Sequence, residues 1–182
     1  AYEITYGDWS SDVCSSDLRP NPGRALDAAM AKLFEWCQAN NVPVMAHTAN
    51  SNGAGDGYGL RANPLYWESV LMDFPKLRVN LAHFGGFREI GKNKRREDSW
   101  EWRIAKMWRR APSSFVYADV SYFSEILGEP SKRTDALNHL KALRASYPES
   151  LDHIIYGTDW SMIGREKGVE IGRHTLNSSH RT

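Results

Sequence analysis

Apolar residues form two patterns that alternate along the chain, stripes with a helical period and short continuous runs. Stripes at a period of 3.6 residues predict amphipathic helices at about 25–39, 64–74, 99–110 and 134–146. Short, mostly apolar runs of the kind found in buried parallel strands occur at about 42–47, 77–82, 115–120 and 153–157. Alternating strands and helices predict an α/β fold with a parallel sheet and right-handed crossovers.

An ionisable residue stands at or near the end of each predicted strand: His47, His83, Asp119 and Asp159. Successive members of this set are 36, 36 and 40 residues apart. Units of this length repeat like those of a (β/α)8 TIM barrel, whose active sites lie at the C-terminal ends of the strands. A complete barrel usually needs about 250 residues, whereas this chain has 182. We therefore predict a partial TIM barrel with about four parallel strands and flanking helices.

Composition and charge exclude several classes of partner. The formal net charge is +1, which gives no strong attraction to nucleic acid or anionic lipid. No apolar run approaches the roughly 20 residues that cross a bilayer, and no secretory signal pattern opens the chain. Two cysteines make no disulfide framework. We expect a cytoplasmic protein with a small-molecule substrate and without a nucleic-acid or membrane partner; a homo-oligomer is an open alternative.

Two segments differ in composition from the rest of the chain. Residues 8–18 are rich in Ser and Asp, show no helical or strand period, and resemble the translation of a sequencing-library adapter oligonucleotide. Residues 171–180 resemble the opposite strand of the same adapter. The alternative is an ordinary Ser-rich loop and a polar disordered tail. We expect three parts: an uncertain start with an adapter-like segment at 1–18, the C-terminal half of a barrel at 19–170, and an adapter-like, disordered tail at 171–182.

Two histidines and an aspartate at successive strand ends carry the candidate chemistry. A single His after an apolar strand is more often structural, but a parallel barrel brings its strand ends together on one rim. Neutral imidazole and carboxylate are natural ligands of Zn²⁺ or a similar divalent ion. A catalytic zinc ion keeps a position for water and lowers the pKa of that water to about 7. Asp159, in the turn at 157–160, is suited both to bind such an ion and to accept the proton.

Three segments, taken in order, resemble strands of a known family: Pro43–Thr48, Phe74–Gly86 and Tyr156–Trp160. They are similar to the fifth, sixth and eighth strands of the amidohydrolase-related family. This is a branch of the amidohydrolase superfamily of metal-dependent TIM-barrel hydrolases, and it includes enzymes of the aminocarboxymuconate-semialdehyde decarboxylase type. The resemblance covers about residues 19–170 and implies that Phe115–Ser121 is the seventh strand.

The resemblance also implies a role for each strand-end residue. His47 would be a metal ligand, and His83 would contact the metal-bound water or the substrate and move a proton. Asp159 would bind the metal and help to activate water. The expected cofactor is a divalent metal ion, with Zn²⁺ as the first choice. Asp119 matches no ligand of the family and is expected to be structural or to support a ligand.

Several other residues are assigned by their position near these strand ends. Substrate contacts are expected from Tyr58, Arg61, Phe84, Arg88 and Trp160. A basic run at 92–96 is better explained as a solvated loop than as a nucleic-acid patch. His139 is expected on a helix surface. His153 is expected to precede a strand, at the edge of the sheet opposite the site.

The chain departs from the family at one point. The first strand of the family carries a His-x-His pair that completes the metal site, and these 182 residues contain no such pair.

The leading interpretation is a metal-dependent hydrolase acting on a C–N or C–O bond of a small molecule, with this chain inactive on its own. The alternatives are a metal-dependent decarboxylase on the same scaffold and an inert, non-enzymatic barrel fragment.

Overall fold

The computed structural model describes residues 22–50, 57–86, 96–111, 115–121 and 129–159. Four strands lie in these ranges: β1 Val44–Ala49, β2 Val79–Gly85, β3 Val116–Asp119 and β4 Ile154–Ile155. Five α-helices accompany them: α1 Pro22–Ala39, α2 Trp67–Asp73, α3 Trp100–Arg110, α4 Pro130–Ser146 and α5 Ser150–His153. Short 3-10 helices occur at Tyr58–Ala62, Pro64–Tyr66 and Arg96–Asp98.

The four strands form one parallel sheet in the order β1-β2-β3-β4. Val44 pairs with Val79, which in turn pairs with Val116, and Ala118 pairs with Ile154. A doubly wound sheet reverses its strand order at a switch point, whereas the strands of a barrel follow one another in chain order. The sheet therefore has the arrangement predicted for part of a barrel.

The two faces of the sheet differ in burial. One face packs into the hydrophobic core through six aliphatic side chains that are at most 6% exposed: Val44, Ala46, Val79, Leu81, Val116 and Ala118. The opposite face carries Met45, which is 51% exposed, and Ile155, which is 42% exposed. His47, Asn80 and Tyr117 lie on that same face by strand alternation. This is the face that a closed barrel turns inward.

Aromatic rings fill the core between the sheet and the helices. Phe34 of α1 lies 5.7 Å from Trp67 of α2 and 5.8 Å from Phe74, between ring centroids. Trp108 of α3 is fully buried and stacks on Phe84 at 5.5 Å and on His153 at 5.4 Å. Offset and edge-on ring pairs of this kind add about 0.5–1.5 kcal/mol each to the area that they bury.

Helix α3 shows how the sequence sets the ends of an element. The Ser99 hydroxyl accepts a hydrogen bond from the backbone N–H of Trp102 at 3.4 Å, which caps the first turn. Two arginines, Arg109 and Arg110, occupy the last turn, where positive charge suits the helix dipole. The predicted range of 99–110 agrees with the observed one.

Other sequence predictions need correction. β1 runs from Val44 to Ala49 and not from 42 to 47, because Pro43 has no backbone N–H to donate and the pairing with β2 continues to Ala49, opposite Gly85. The prediction that His139 lies on a helix surface is wrong, because its side chain is buried, with one ring nitrogen, Nε2, 3.7 Å from Oε2 of Glu101. The predicted fourth strand begins one residue too early, because His153 forms the last turn of α5 and directly precedes β4.

Several predictions fall on parts of the chain outside the described residues. These are the adapter-like segments, the basic run up to residue 95, and the substrate contacts of Arg88 and Trp160. Among the helices of the described residues, none combines the length and the apolar character that crossing a bilayer requires.

Candidate active site

A bulge interrupts the pairing of β1 with β2 at the C-terminal end of both strands. His47 pairs with Ala82, and Ala49 pairs with Gly85. Between these two pairs, β1 has one residue, Thr48, and β2 has two, His83 and Phe84. The two bulged residues have left-handed backbone angles, with φ of +66° for His83 and +40° for Phe84. Such conformations are uncommon outside glycine and cluster at functional sites.

The bulge decides which face receives the imidazole of His83. Strict alternation along β2 would place residue 83 on the same face as Leu81, in the core. With the extra residue, the His83 ring lies instead beside the ring of His47, at 4.7 Å between centroids and 67° between planes. Phe84 takes the core position. One inserted residue thus brings two histidines together at the rim of the sheet.

Two glycines follow the bulge and allow close packing on both sides. Gly85 and Gly86 both have φ of +79°. A Cβ atom on Gly86 would lie 2.8 Å from the Cβ of Ala49, and one on Gly85 would lie 2.9 Å from the backbone nitrogen of Glu101. The turn after β2 is therefore held between the end of β1 and the first turn of α3, where no side chain would fit.

Asp119, at the end of β3, holds the bulge from the other side. Its Oδ1 accepts hydrogen bonds from the backbone N–H of His83 at 3.2 Å and of Ser121 at 3.1 Å. Its Oδ2 accepts a hydrogen bond from the side-chain amide of Asn80 at 2.7 Å. The carboxyl group is buried. The sequence prediction that Asp119 is structural or supports a ligand agrees with these bonds, because it fixes the backbone of His83.

Ser121 contacts the imidazole of His83 directly. The Nδ1 atom of His83 lies 3.0 Å from Oγ of Ser121 and 3.4 Å from its carbonyl oxygen. Ser121 is only 5% exposed. The orientation of the His83 ring is therefore set by a residue of the neighbouring strand.

His47 is bonded within its own strand end. Its Nε2 lies 3.0 Å from the carbonyl oxygen of Ala49. Because a carbonyl oxygen only accepts, this contact is satisfied when Nε2 carries the proton, which leaves the lone pair on Nδ1. Beside it, the Thr48 hydroxyl donates to the carbonyl of Ala82 at 2.7 Å and joins β1 to β2 next to the bulge.

Asp159 follows β4 on the same rim. The loop that leads to it passes close to β3, because a Cβ atom on Gly157 would lie 3.1 Å from Cβ of Ser121 and 3.2 Å from Oδ1 of Asp119. Asp159 itself has a left-handed backbone, with φ of +48°. A side chain at position 157 would require these neighbours to shift slightly, so glycine suits the close approach of the β4 loop to the polar cluster around His83.

The predicted metal site can be compared with this geometry. The donor types suit a divalent ion, and His47 and His83 are neighbours. Within the described ranges, however, no three His, Cys, Asp or Glu side chains are grouped so that they could hold a metal ion. The residues as they stand do not form a complete metal site, so the ligand roles of His47 and Asp159 remain predictions.

The predicted substrate contacts fall in different places. Tyr58 and Arg61 belong to a 3-10 helix that lies against β1, with the Arg61 guanidinium 4.3 Å above the Tyr58 ring. Tyr58 is 48% exposed and accessible to a small molecule. Phe84 needs correction, because it is fully buried in the core against Trp108 and has no surface to offer a substrate.

Sequence reasoning missed two residues of the cluster, Asn80 and Ser121. A signal existed for Asn80, which is the single polar residue in the run at 79–82. Ser121 gave no signal of its own, because a Ser after a strand is common in loops. Its importance follows from the position of the His83 ring, which depends on the bulge.

Of the comparisons with known proteins, the match to a protein family bears on this arrangement. No curated protein matches the chain, and no solved structure does. The sequence does match the profile of the family described as amidohydrolase over residues 14–175, which is most of its length. Members of that family fold as TIM barrels, and four parallel strands in chain order are consistent with part of one. The chain belongs to the amidohydrolase family.

Proposed function

We propose that this chain supplies part of the active site of a metal-dependent hydrolase that cleaves a C–N or C–O bond of a small molecule. The observation that carries the proposal is the pair of imidazoles at the strand ends, brought to 4.7 Å by a bulge in β2. Strain at two non-glycine residues is maintained there by Asp119 and by the fit around two glycines. Conformations of this kind persist where the surrounding structure enforces them and where function uses them.

In this proposal, His83 is the proton-transfer residue. Its Nδ1 faces Ser121, so Nε2 is the ring nitrogen left to meet a substrate or a water molecule. A positioned imidazole of this kind contributes about 10²–10⁴-fold to the rate. Tyr58 and Arg61, on the 3-10 helix beside β1, would contact the rest of the substrate.

His47 and Asp159 would bind the divalent ion, with Zn²⁺ as the first choice. Such an ion, when bound, polarises the scissile bond and lowers the pKa of a water molecule to about 7. The 182 residues contain no His-x-His pair, and the described part of the chain holds no group of three ligands. We therefore expect the isolated chain to bind zinc weakly and to be inactive.

The test is complementation of the barrel. The chain is co-expressed with the N-terminal half of an amidohydrolase barrel that carries a His-x-His strand, and the copurified pair is assayed with zinc against esters, lactones and amides. We expect hydrolysis by the pair, zinc bound near one equivalent, and no activity from either half. His83→Gln should lower the rate by about 10²–10⁴-fold.

His153→Gln is the matched control for the loss of a histidine. His153 lies at the N-terminal ends of the strands, with Nδ1 2.8 Å from the carbonyl oxygen of Val116, so its loss should leave the rate of a folded pair unchanged. A zinc-loaded pair that releases CO₂ from a carboxylate substrate and hydrolyses nothing would favour a decarboxylase. Turnover by the isolated chain with zinc would contradict the incomplete metal site.

A further inference from the structure

The Nδ1 atom of His83 faces two oxygen atoms of one residue. Ser121 presents its hydroxyl oxygen at 3.0 Å and its carbonyl oxygen at 3.4 Å. A hydroxyl can donate or accept, but a carbonyl oxygen can only accept. A hydrogen on Nδ1 can bond to both oxygens. Without that hydrogen, the lone pair of Nδ1 would face the lone pairs of the carbonyl oxygen. The surroundings therefore favour one tautomer.

We propose that Ser121 is a positioning residue that holds His83 as the tautomer with its proton on Nδ1 and the lone pair on Nε2. Histidine ligands and bases are commonly fixed in this way by a partner on the other ring nitrogen. In the proposed hydrolase, Nε2 would then be the atom that accepts a proton. Only this last step rests on the proposed function, because the tautomer is a property of the chain itself.

The position of Ser121 is fixed by its own contacts. Its backbone N–H donates to Oδ1 of Asp119, the same oxygen that accepts from the backbone N–H of His83. On the other side, Gly157 approaches so closely that a Cβ atom there would lie 3.1 Å from the Cβ of Ser121, a tight contact that leaves the serine little room to move. One carboxylate oxygen thus sets the separation of the serine and the histidine, and Ser121 meets the ring in one geometry.

Because Ser121 lies 3.0 Å from the imidazole of His83, it could instead be a catalytic nucleophile. In a serine hydrolase, the histidine accepts the serine proton, and a carboxylate orients the ring from its other nitrogen. Here the carboxylate of Asp119 bonds to the backbone of His83 and to Asn80. Ser121 is 5% exposed, so it offers little access to an acyl group. These contacts favour an orienting role over nucleophilic attack.

The test reads the tautomer directly, in the isolated ¹⁵N-labelled chain. Long-range ¹H–¹⁵N correlation spectra of the imidazoles are recorded about two pH units above the pKa of free histidine, which is about 6.5. His83→Gln identifies the His83 signals by their loss. We expect the proton on Nδ1 in the wild type. Ser121→Ala removes a hydroxyl that can serve either tautomer but keeps the backbone carbonyl oxygen, so the proton should stay on Nδ1 in this variant as well.

Two further variants serve as controls. Ser69→Ala removes an exposed hydroxyl whose contact is the carbonyl of Tyr66, and it should leave the His83 tautomer unchanged. Ser121→Cys keeps a weak hydrogen-bonding group of similar size and the same carbonyl oxygen, so it should also keep the proton on Nδ1. If Ser121→Ala does not fold, the spectra of the wild type and of Ser121→Cys still test the tautomer of His83.

Three results would overturn the proposal: a wild-type His83 with its proton on Nε2, a proton moved to Nε2 in a folded Ser121→Ala, or labelling of Ser121 by a fluorophosphonate probe. In the complemented enzyme, Ser121→Ala should lower kcat and leave KM nearly unchanged, with partial recovery in Ser121→Cys. If the spectra behave as expected and no pair hydrolyses any substrate, the proposed function fails and the orienting role of Ser121 stands.

Discussion

Gly57 and Gly86 share a left-handed backbone, with φ of +81° and +79°, but their surroundings differ. A Cβ atom on Gly57 would have no heavy atom within 4 Å. On Gly86, it would lie 2.8 Å from Cβ of Ala49, which is closer than carbon atoms approach without displacement. The two positions therefore separate two costs of a side chain, backbone strain alone and strain combined with a steric clash.

Replacing each glycine by alanine tests this difference at the residue scale. Gly57→Ala should lower the free energy of unfolding by about 1 kcal/mol, through strain alone. Gly86→Ala should lower it by about 2–4 kcal/mol, because displacement of the β1 end adds about 1–3 kcal/mol. Urea denaturation of both variants beside the wild type gives the two values. Equal losses would mean that the close approach of Gly86 to Ala49 does not exist in solution.

At the scale of elements, the sequence predicted most of what periodicity can reveal. The parallel strands and the helices were found because apolar runs and stripes reflect burial directly. Helix α3 was predicted closely, since Ser99 caps it and two arginines end it. The bulge could not be predicted, because its two residues, His83 and Phe84, have left-handed angles without glycine. That conformation is enforced by Asp119 and α3, which are distant in sequence.

Helix α4 contains a residue, His139, whose burial could have been predicted from the spacing of apolar residues. His139 stands three residues after Ala136 and four before Leu143, so helical spacing puts it on the buried stripe. The prediction of a surface position for His139 did not take this spacing into account. A buried carboxylate, Glu101 of α3, lies 3.7 Å from the ring. A polar residue can occupy a buried stripe when an adjacent element brings a charged group to meet it.

The packing of α4 can be tested with two leucines of the same helix. Leu143 is 1% exposed and belongs to the core, whereas Leu137 is 50% exposed. Leu143→Ala should lower the free energy of unfolding by about 2–5 kcal/mol, through lost burial and a cavity. Leu137→Ala should change it by less than about 1 kcal/mol. Thermal or urea unfolding measures both, and a small effect at Leu143 would show that this face of α4 is not packed into the hydrophobic core.

At the scale of the whole molecule, the chain combines a barrel-like strand order with a face that a complete barrel would enclose. Met45 and Ile155 on that face are about half exposed, and the buried aliphatic residues lie on the other face. The family assignment explains this asymmetry, because barrel strands pack side chains on both faces. Stability of the chain therefore depends mainly on the layer between the sheet and its helices.

Cys37 provides a probe of that layer. It lies in the core on α1, and burial raises the pKa of its thiol, so little reactive thiolate forms in the folded state. In a Cys14→Ser background, alkylation of Cys37 should be at least about 100-fold slower in buffer than in concentrated urea, since labelling requires opening of the core. The rate is followed by mass spectrometry. Similar rates in both solvents would mean that α1 is not packed on the sheet.

The bulge at His83 and Phe84 has a consequence for the history of such sites. Loss of a single codon from this strand would leave its apolar character and its pairing with β1 intact, but it would move the imidazole into the helix layer, where Trp108 now meets Phe84. A histidine can thus enter or leave a reaction centre through a change in strand length, with no change in residue type. Alignments of distant relatives that close this one-residue gap would pair the histidine with a core residue and hide the ancestry of the site.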